Sequence, residues 1–438
     1  MSYSSLQQNA IRFHDLTYSS NLRSSSLYRL FGRHLTTATL PVMSVPTAKD
    51  TYTCTVTVDH GTAPAKGAKA HHVYDDSGRL IRFKNPCPSF GNWNNVSLWG
   101  SAVLYFGNRL RGRLPVPDTS IAKIPTVKAQ FLQSRTAGPS TLRATWIGHA
   151  TYFVEFPSGF RALFDPVFEE RHNFFAPKRF TAPACTPSAF PALDAVFLSH
   201  NHPDHLSYPT VKELIKAYPK VHFFVGLGES PKLRELGVHA VTEMDWWDDA
   251  VVTLERPAAS NEEPKHITAE VSCLPSQHGT MRTPSDKDHT LWASWAVTSG
   301  DKSLWFAGDT GYRCVPDGME EFGPGFDDLP TNPHFAQIGE LRGPFDLGLL
   351  PIGAYHPRMM YSPVHASPYD AVEIFQDTKC IKALAMHWGT WALTSEPVNE
   401  PPEKLKEALE MRGIAQTGIF DACGIWEQTK HNNQCNMY

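Results

Sequence analysis

Ser199-His200-Asn201-His202-Pro203-Asp204-His205-Leu206 follows directly on the apolar run Ala195-Val196-Phe197-Leu198. Three imidazoles and a carboxylate this close together cannot all enter a core, because buried polar groups need partners. A loop at the carboxyl end of a strand aims them instead at a common point outside the sheet. At that spacing His200 and His202 reach one metal ion. Asp204 and His205, further round the turn, reach a second. The bland reading, a polar loop holding histidines by chance, is much the weaker.

Working outward, three more candidates each end a predicted strand. His278 lies in Pro275-Ser276-Gln277-His278-Gly279 and His387 in Ala385-Met386-His387-Trp388-Gly389. Asp309 lies in Ala307-Gly308-Asp309-Thr310-Gly311, where the glycines allow close backbone approach. Singly, each has an ordinary explanation, a hydrogen-bonded His or a turn Asp. As a series of strand-terminal ligands they supply two metal sets sharing one bridge, with an open position for water.

The composition agrees. The 438 residues are 41% apolar and 19% charged, enough for a large core and too apolar for general disorder. A formal net charge of −4 argues against a nucleic-acid binder, so no nucleic-acid partner is expected. No apolar run reaches the roughly 18 residues that a spanning helix needs. The 8 cysteines form no CxxC pair, whereas there are 20 histidines, so imidazole and carboxylate should hold any metal.

Three zones follow along the chain. Residues 1–46 carry Arg12, Arg23, Arg29 and Arg33 against the single acid Asp15, with many serines. This reads as a mitochondrial targeting segment, with a tail of similar composition as the alternative. Residues 47–140 have poor periodicity and read as an N-terminal extension. Within it, Val96 to Phe106 is apolar and precedes Arg109, Arg111 and Arg113, which suits either a helix packed on the core or one lying on an anionic membrane. Residues 141–430 alternate strands with helices. Strands are expected over 151–156, 161–166, 194–200, 291–299, 303–310, 346–353 and 383–389, and helices over 209–217, 369–375 and 402–411. This is layered α/β architecture. Segments 258–266 and 315–333 look like inserted loops.

The HxHxDH run with downstream His, Asp and His resembles the metallo-β-lactamase superfamily. Longer runs narrow the resemblance: Trp146-Ile147-Gly148-His149-Ala150-Thr151, Phe164-Asp165-Pro166-Val167, Ala176-Pro177-Lys178-Arg179-Phe180, Met244-Asp245-Trp246-Trp247, Pro351-Ile352-Gly353-Ala354-Tyr355 and Met386-His387-Trp388-Gly389-Thr390. Over residues 80–425 the chain is similar to the branch that hydrolyses N-acyl-phosphatidylethanolamines as phospholipases D.

That resemblance implies an αβ/βα four-layer sandwich with two Zn²⁺ per subunit. His200, His202, His278 and Asp309 would bind one zinc. Asp204, His205, Asp309 and His387 would bind the other. Asp165 would orient a ligand imidazole from behind. Asp204, Asp309 and His365 would be the catalytic groups, with His365 also contacting the substrate phosphate. Asn173 and Phe174 stand where mammalian members carry a glutamine–tyrosine pair associated with substrate contact. Lys178 and Arg179 suit an anionic headgroup, though loop cations are usually just solvated. Tyr355, Met359, Met360, Trp388 and Trp391 lie where acyl chains would pass, though ordinary core packing is the preferred reading. The implied partners are an N-acylated phospholipid, a peripheral membrane surface and a second copy in a homodimer. The expected location is mitochondrial, with the cytoplasm or another endomembrane face as the alternative. The competing functions are hydrolysis of another substrate, such as a sugar-phosphate lactone, and non-catalytic zinc binding.

Overall fold

A computed structural model of the protein describes residues 52–60, 69–95, 98–122, 124, 126–135, 142–172, 176–256, 265–416, 418–422, 425–428 and 433–436. The expected targeting segment 1–46 and the candidates Asn173 and Phe174 lie outside these residues.

The chain begins with β1 (Thr53–Asp59), the hairpin β2 (His72–Tyr74) and β3 (Leu80–Phe83), then α1 (Leu98–Leu110). Next come β4 (Leu142–Gly148), β5 (Thr151–Glu155), β6 (Arg161–Phe164) and β7 (Ala195–Phe197). After α2 (Tyr208–Ala217) come β8 (His222–Gly226), α3 (Ser230–Glu235) and β9 (Val241–Met244). The second half holds β10 (Asp249–Arg256), β11 (Lys265–Leu274), β12 (Ser294–Ser299), β13 (Lys302–Phe306) and α4 (His334–Leu341). It continues with β14 (Leu347–Pro351), α5 (Arg358–Tyr361), α6 (Pro368–Asp377), β15 (Ala383–Met386) and α7 (Glu400–Met411). The chain closes with β16 (Phe420–Asp421), β17 (Ile425–Gln428) and β18 (Asn433–Asn436).

Two eight-stranded sheets result. One runs β1-β10-β11-β12-β13-β14-β15-β16, the other β18-β17-β4-β5-β6-β7-β8-β9. Each passes from antiparallel to parallel pairing toward the strands that carry the site. The sheets face each other across a shared apolar core. Phe164 meets Phe306 at 5.0 Å between ring centres, Phe197 meets Trp295 at 5.7 Å, and the Tyr152 hydroxyl donates to the Ala385 carbonyl at 2.7 Å. Side chains alternate along a strand, so the neighbouring positions Phe153, Leu163 and Val196 face the other way. There they pack under Val211 and Leu214 of α2 and Leu233 of α3. Residues of α4, α6 and α7 join the core of the first sheet, as where Phe335 meets Trp305 at 6.0 Å. This is the expected αβ/βα four-layer sandwich.

The expected elements shorten at the site. The strand expected over 194–200 pairs only over Ala195–Phe197, because Ser199 turns away to meet Asp165. The strand expected over 291–299 begins at Ser294, and His266, expected in a loop, lies in β11. Segment 315–333 contains no helix or strand. The zone before residue 140, expected to be poorly periodic, contains more structure than that, since β1 pairs with β10 along all seven of its residues as an edge strand. Its burial alternates between half-buried and exposed, matching the alternation Thr53-Cys54-Thr55-Val56-Thr57-Val58 in the sequence. Among the described residues no helix is long and apolar enough to cross a membrane.

Candidate metal centre

Every candidate ligand follows the carboxyl end of a strand: Asp165 after β6, His200 to His205 after β7, His278 after β11, Asp309 after β13 and His387 after β15. Close packing of these ends needs unusual backbone. Asp165 and His387 have φ of 38° and 62°, in the region that non-glycine residues avoid. Gly308 has φ 61°, and a Cβ there would stand 2.6 Å from Ser199 Cβ. Only glycine lets Asp309 approach the β7 loop this closely.

The tautomers follow from the hydrogen bonds. Asp165 accepts from the Ser199 amide at 2.7 Å, the Ser199 hydroxyl at 2.5 Å and His205 Nδ1 at 2.7 Å. The Ser199 hydroxyl hydrogen is directed at Asp165, so Ser199 Oγ accepts from His200 Nδ1 at 2.8 Å. His278 Nδ1 donates to the Val364 carbonyl at 2.8 Å. In His200 and His278 the Nε2 therefore carries the lone pair, and in His205, once its second proton is displaced, the Nε2 is the free nitrogen.

These lone pairs converge. His200 Nε2 lies 2.9 Å and His278 Nε2 3.1 Å from His202 Nδ1. One N–H on His202 cannot satisfy both, so this trio suits a cation at its centre. Asp309 Oδ2 stands 4.0 Å from His200 and 3.8 Å from His278. The same oxygen lies 3.1 Å from His205 Nε2 and 3.0 Å from His387 Nε2, and Asp204 Oδ2 is 3.6 Å from each of those nitrogens. His205 Nε2, His387 Nε2 and Asp309 Oδ1 are buried without a hydrogen bond in the protein. Buried polar atoms left unpaired are costly. The donor set of imidazoles and carboxylates fits divalent metal on both sides of Asp309.

Electrostatics supports this. Burial holds His200 well below the usual imidazole range and His202 at about 3, so both are neutral donors. At His387 burial opposes the charge, but Asp309 and Asp204 outweigh it and raise the group to about 9. His205 is raised in the same way. Without a cation, the buried carboxylates retain protons on these two rings; a metal replaces them.

His365 also reaches the centre, with Nδ1 buried, unpaired and 3.9 Å from Asp309 Oδ2. Burial keeps this ring neutral. Its backbone is held from behind, since His365 N–H donates to the Tyr361 carbonyl at 2.7 Å and Arg358 donates to the His365 carbonyl at 3.3 Å. Arg358 in turn pairs with Glu321 of the 315–333 segment at 2.9 Å. Arg179 lies over Trp391 at 5.0 Å, whereas Lys178 pairs with Glu170 on the surface. Tyr355, Trp388 and Trp391 are buried.

Sequence reading missed the residues around these. His149, with φ 54°, bonds Asp204 Oδ2 through Nε2 at 3.1 Å and packs 4.1 Å from the His387 ring. It lies in Gly148-His149, directly after β4, and that Gly-His pair at a strand end is the signal in the sequence. Asn85 donates to the His278 carbonyl at 2.7 Å, and Ser89 to Gln277 at 2.5 Å. Arg282 clamps the β7 loop by donating to the carbonyls of Asn201 and Leu206, at 3.0 and 2.8 Å, while stacking on Tyr208.

Behind Asn201 and Arg282 lies buried Glu229. Burial pushes its carboxyl up to about 7, opposed by Thr290, Arg282 and Asn201 and reinforced by Glu243. The folded pKa lies above the unfolded one. The contribution is therefore fully present below about 4.5 and lost as pH rises through about 7. Glu229→Gln should match the parent at pH near 4.5 and exceed it by about 2–3 kcal/mol at pH 8. Urea unfolding at the two pH values checks this; an equal difference at both would remove the carboxyl as its source.

Comparisons with known proteins agree with this geometry. A β-lactamase superfamily domain matches residues 161–388, just over half of the chain. The chain is 35% identical to the N-acyl-phosphatidylethanolamine-hydrolyzing phospholipase D 1 of Caenorhabditis elegans, over 79% of this chain and 92% of that one. It is 32% identical to the mitochondrial protein of that name from Saccharomyces cerevisiae, over 62% of this chain and 52% of that one. The solved isothiocyanate hydrolase from Delia radicum gut bacteria aligns with a TM-score of 0.44 at 16% identity, over 66% of this chain and 98% of that one. With its strand-end ligands and its length-wide likeness to the nematode protein, the chain belongs to the N-acyl-phosphatidylethanolamine-hydrolysing phospholipase D family of metal-dependent hydrolases.

Proposed function

We propose that the chain hydrolyses N-acyl-phosphatidylethanolamine to N-acylethanolamine and phosphatidic acid, with two zinc ions per subunit. The observation that carries this reading is the meeting of two ligand sets on one oxygen, Asp309 Oδ2, in a chain 35% identical to the nematode phospholipase. His200, His202, His278 and Asp309 would hold one ion, and Asp204, His205, His387 and Asp309 the other.

Such a pair, when bound, would polarise a phosphoryl oxygen and lower the pKa of a coordinated water toward neutrality. The protein's own groups do the rest. Asp165 keeps His205 in the Nδ1–H tautomer, and His149 steadies Asp204. His365 is neutral and presents the unpaired Nδ1 beside the bridge, suited to a substrate phosphoryl oxygen. Water adds at phosphorus, the bond from phosphorus to the ethanolamine oxygen breaks, and that oxygen leaves with a proton. Asn173 and Phe174 are assigned to headgroup contact. We place the enzyme peripherally on a mitochondrial membrane, as a homodimer.

The test is metal analysis of the purified full chain with hydrolysis of defined N-acylated phospholipids in vesicles. His365→Ala should keep its metal and lose roughly ten- to a hundredfold in turnover, the worth of one hydrogen bond to a charged group. A fully metallated protein that opens a sugar-phosphate lactone and leaves the lipid intact would overturn the reading.

A further inference from the structure

A helix covering a soluble core turns its apolar side inward and its polar side to water. The described side chains of α1 depart from this: the one fully buried among them is Asn108, beside half-buried Leu104, and its amide donates to the Leu104 carbonyl at 2.9 Å and to Met360 Sδ at 3.7 Å. Val103, Phe106 and Leu110, spaced i, i+3, i+7 on the opposite face, are 54%, 62% and 90% exposed. Val116, just beyond the helix, is 75% exposed. Elsewhere exposed large apolar residues, such as Tyr74, Val251, Ile381 and Met411, are scattered along the chain. Beside this strip Arg109 and Arg111 are exposed and make no ion pair among the described residues. An apolar strip bordered by free cations is complementary to a lipid surface that is apolar beneath and anionic above.

We propose that α1 seats the enzyme on an anionic phospholipid bilayer, with Val103, Phe106, Leu110 and Val116 entering the headgroup boundary and Arg109 and Arg111 on the lipid phosphates. The seat adjoins the metal centre. Met360, which takes the Asn108 bond, precedes Tyr361, whose carbonyl holds His365. Asn85 and Ser89, upstream of the helix, brace His278 and Gln277. Arg113 ties the end of α1 to Asp317 at 3.4 Å, and the same segment supplies Glu321 to Arg358. The proposal rests on the lipid reading above for why a bilayer should be met here. Its test uses vesicles without any N-acylated phospholipid, so surface binding and turnover fail separately.

Full-length protein is floated with phosphatidylcholine vesicles, with and without an added anionic phospholipid. The parent should bind the anionic vesicles and lose binding as salt rises. Phe106→Glu with Leu110→Glu should weaken partition at least roughly tenfold. Arg109→Gln with Arg111→Gln should weaken it about tenfold, while Arg109→Lys with Arg111→Lys restores it, because lipid phosphates read charge. Unchanged metal content and melting temperature show that the variants fold. The lysine pair keeps the test open if the glutamate pair does not fold. Variants that bind like the parent, or a parent that ignores anionic vesicles, overturn the proposal. So does a parent dimer that the Phe106 and Leu110 changes convert to monomer with vesicle binding intact, since a second copy would then cover the strip.

Discussion

Asp309→Asn is expected to empty both metal positions and to reduce lipid hydrolysis by at least about a thousandfold. The substitution keeps the volume of a side chain that is wholly buried and removes its charge. Asp309 Oδ2 lies within 4.0 Å of His200, His205, His278, His365 and His387, so among the described residues this one oxygen serves five imidazoles. An amide offers one neutral oxygen, and its NH₂ would either cap an imidazole lone pair that a metal needs or face the N–H of His205 or His387. Metal per chain, read by elemental analysis beside turnover on the same preparation, decides it. A variant retaining both ions and full rate would remove Asp309 as the shared ligand.

Asp165→Asn should reduce metal affinity or turnover by roughly 10–100-fold, although Asp165 is not assigned to either ion. The carboxylate is surrounded by three donors: the Ser199 amide, the Ser199 hydroxyl and His205 Nδ1. An asparagine can accept on one side only, so its NH₂ meets a donor on the other. His205 then loses the acceptor that fixes its tautomer, and an Nε2–H directed at Asp309 blocks a ligand position. Leaving such a donor unsatisfied costs about 1–3 kcal/mol of stability as well. The backbone is not the cause, since asparagine tolerates the φ of 38° found here. Zinc titration of folded parent and variant is the measurement. Equal affinity would mean that His205 needs no partner behind it.

The lactone and non-catalytic alternatives weaken for different reasons. A binding protein could lose ligands freely, yet His200, His202, Asp204, His205, His278, Asp309 and His387 are all present and converge. The likeness that separates the lactone reading from the lipid one is the length-wide one to the nematode phospholipase.

What the sequence determined alone was local. Short apolar runs that end in His or Asp, taken as a series, mark strand ends carrying candidate ligands, so the seven candidates, Asp165 and the layered architecture were all legible. The helices at Tyr208–Ala217 and Pro368–Asp377 were legible because a serine cap and a following proline mark their starts. β1 was passed over because it has no continuous apolar run, although its alternation of Thr with Cys and Val is the period-two signal of a half-buried edge strand. Less legible were His149, Arg282, Glu229 and Asn85, whose partners lie far away in the chain.

The tertiary structure decided which atoms meet. It chose Oδ2 of Asp309 as the common oxygen, fixed the tautomers through Ser199, Asp165 and Val364, and left Val103, Phe106 and Leu110 of α1 exposed. These outcomes depend on how two sheets and their loops close over one another. Periodicity and spacing describe a segment against its own axis, whereas a metal centre is built from distances between segments that only a packed core sets.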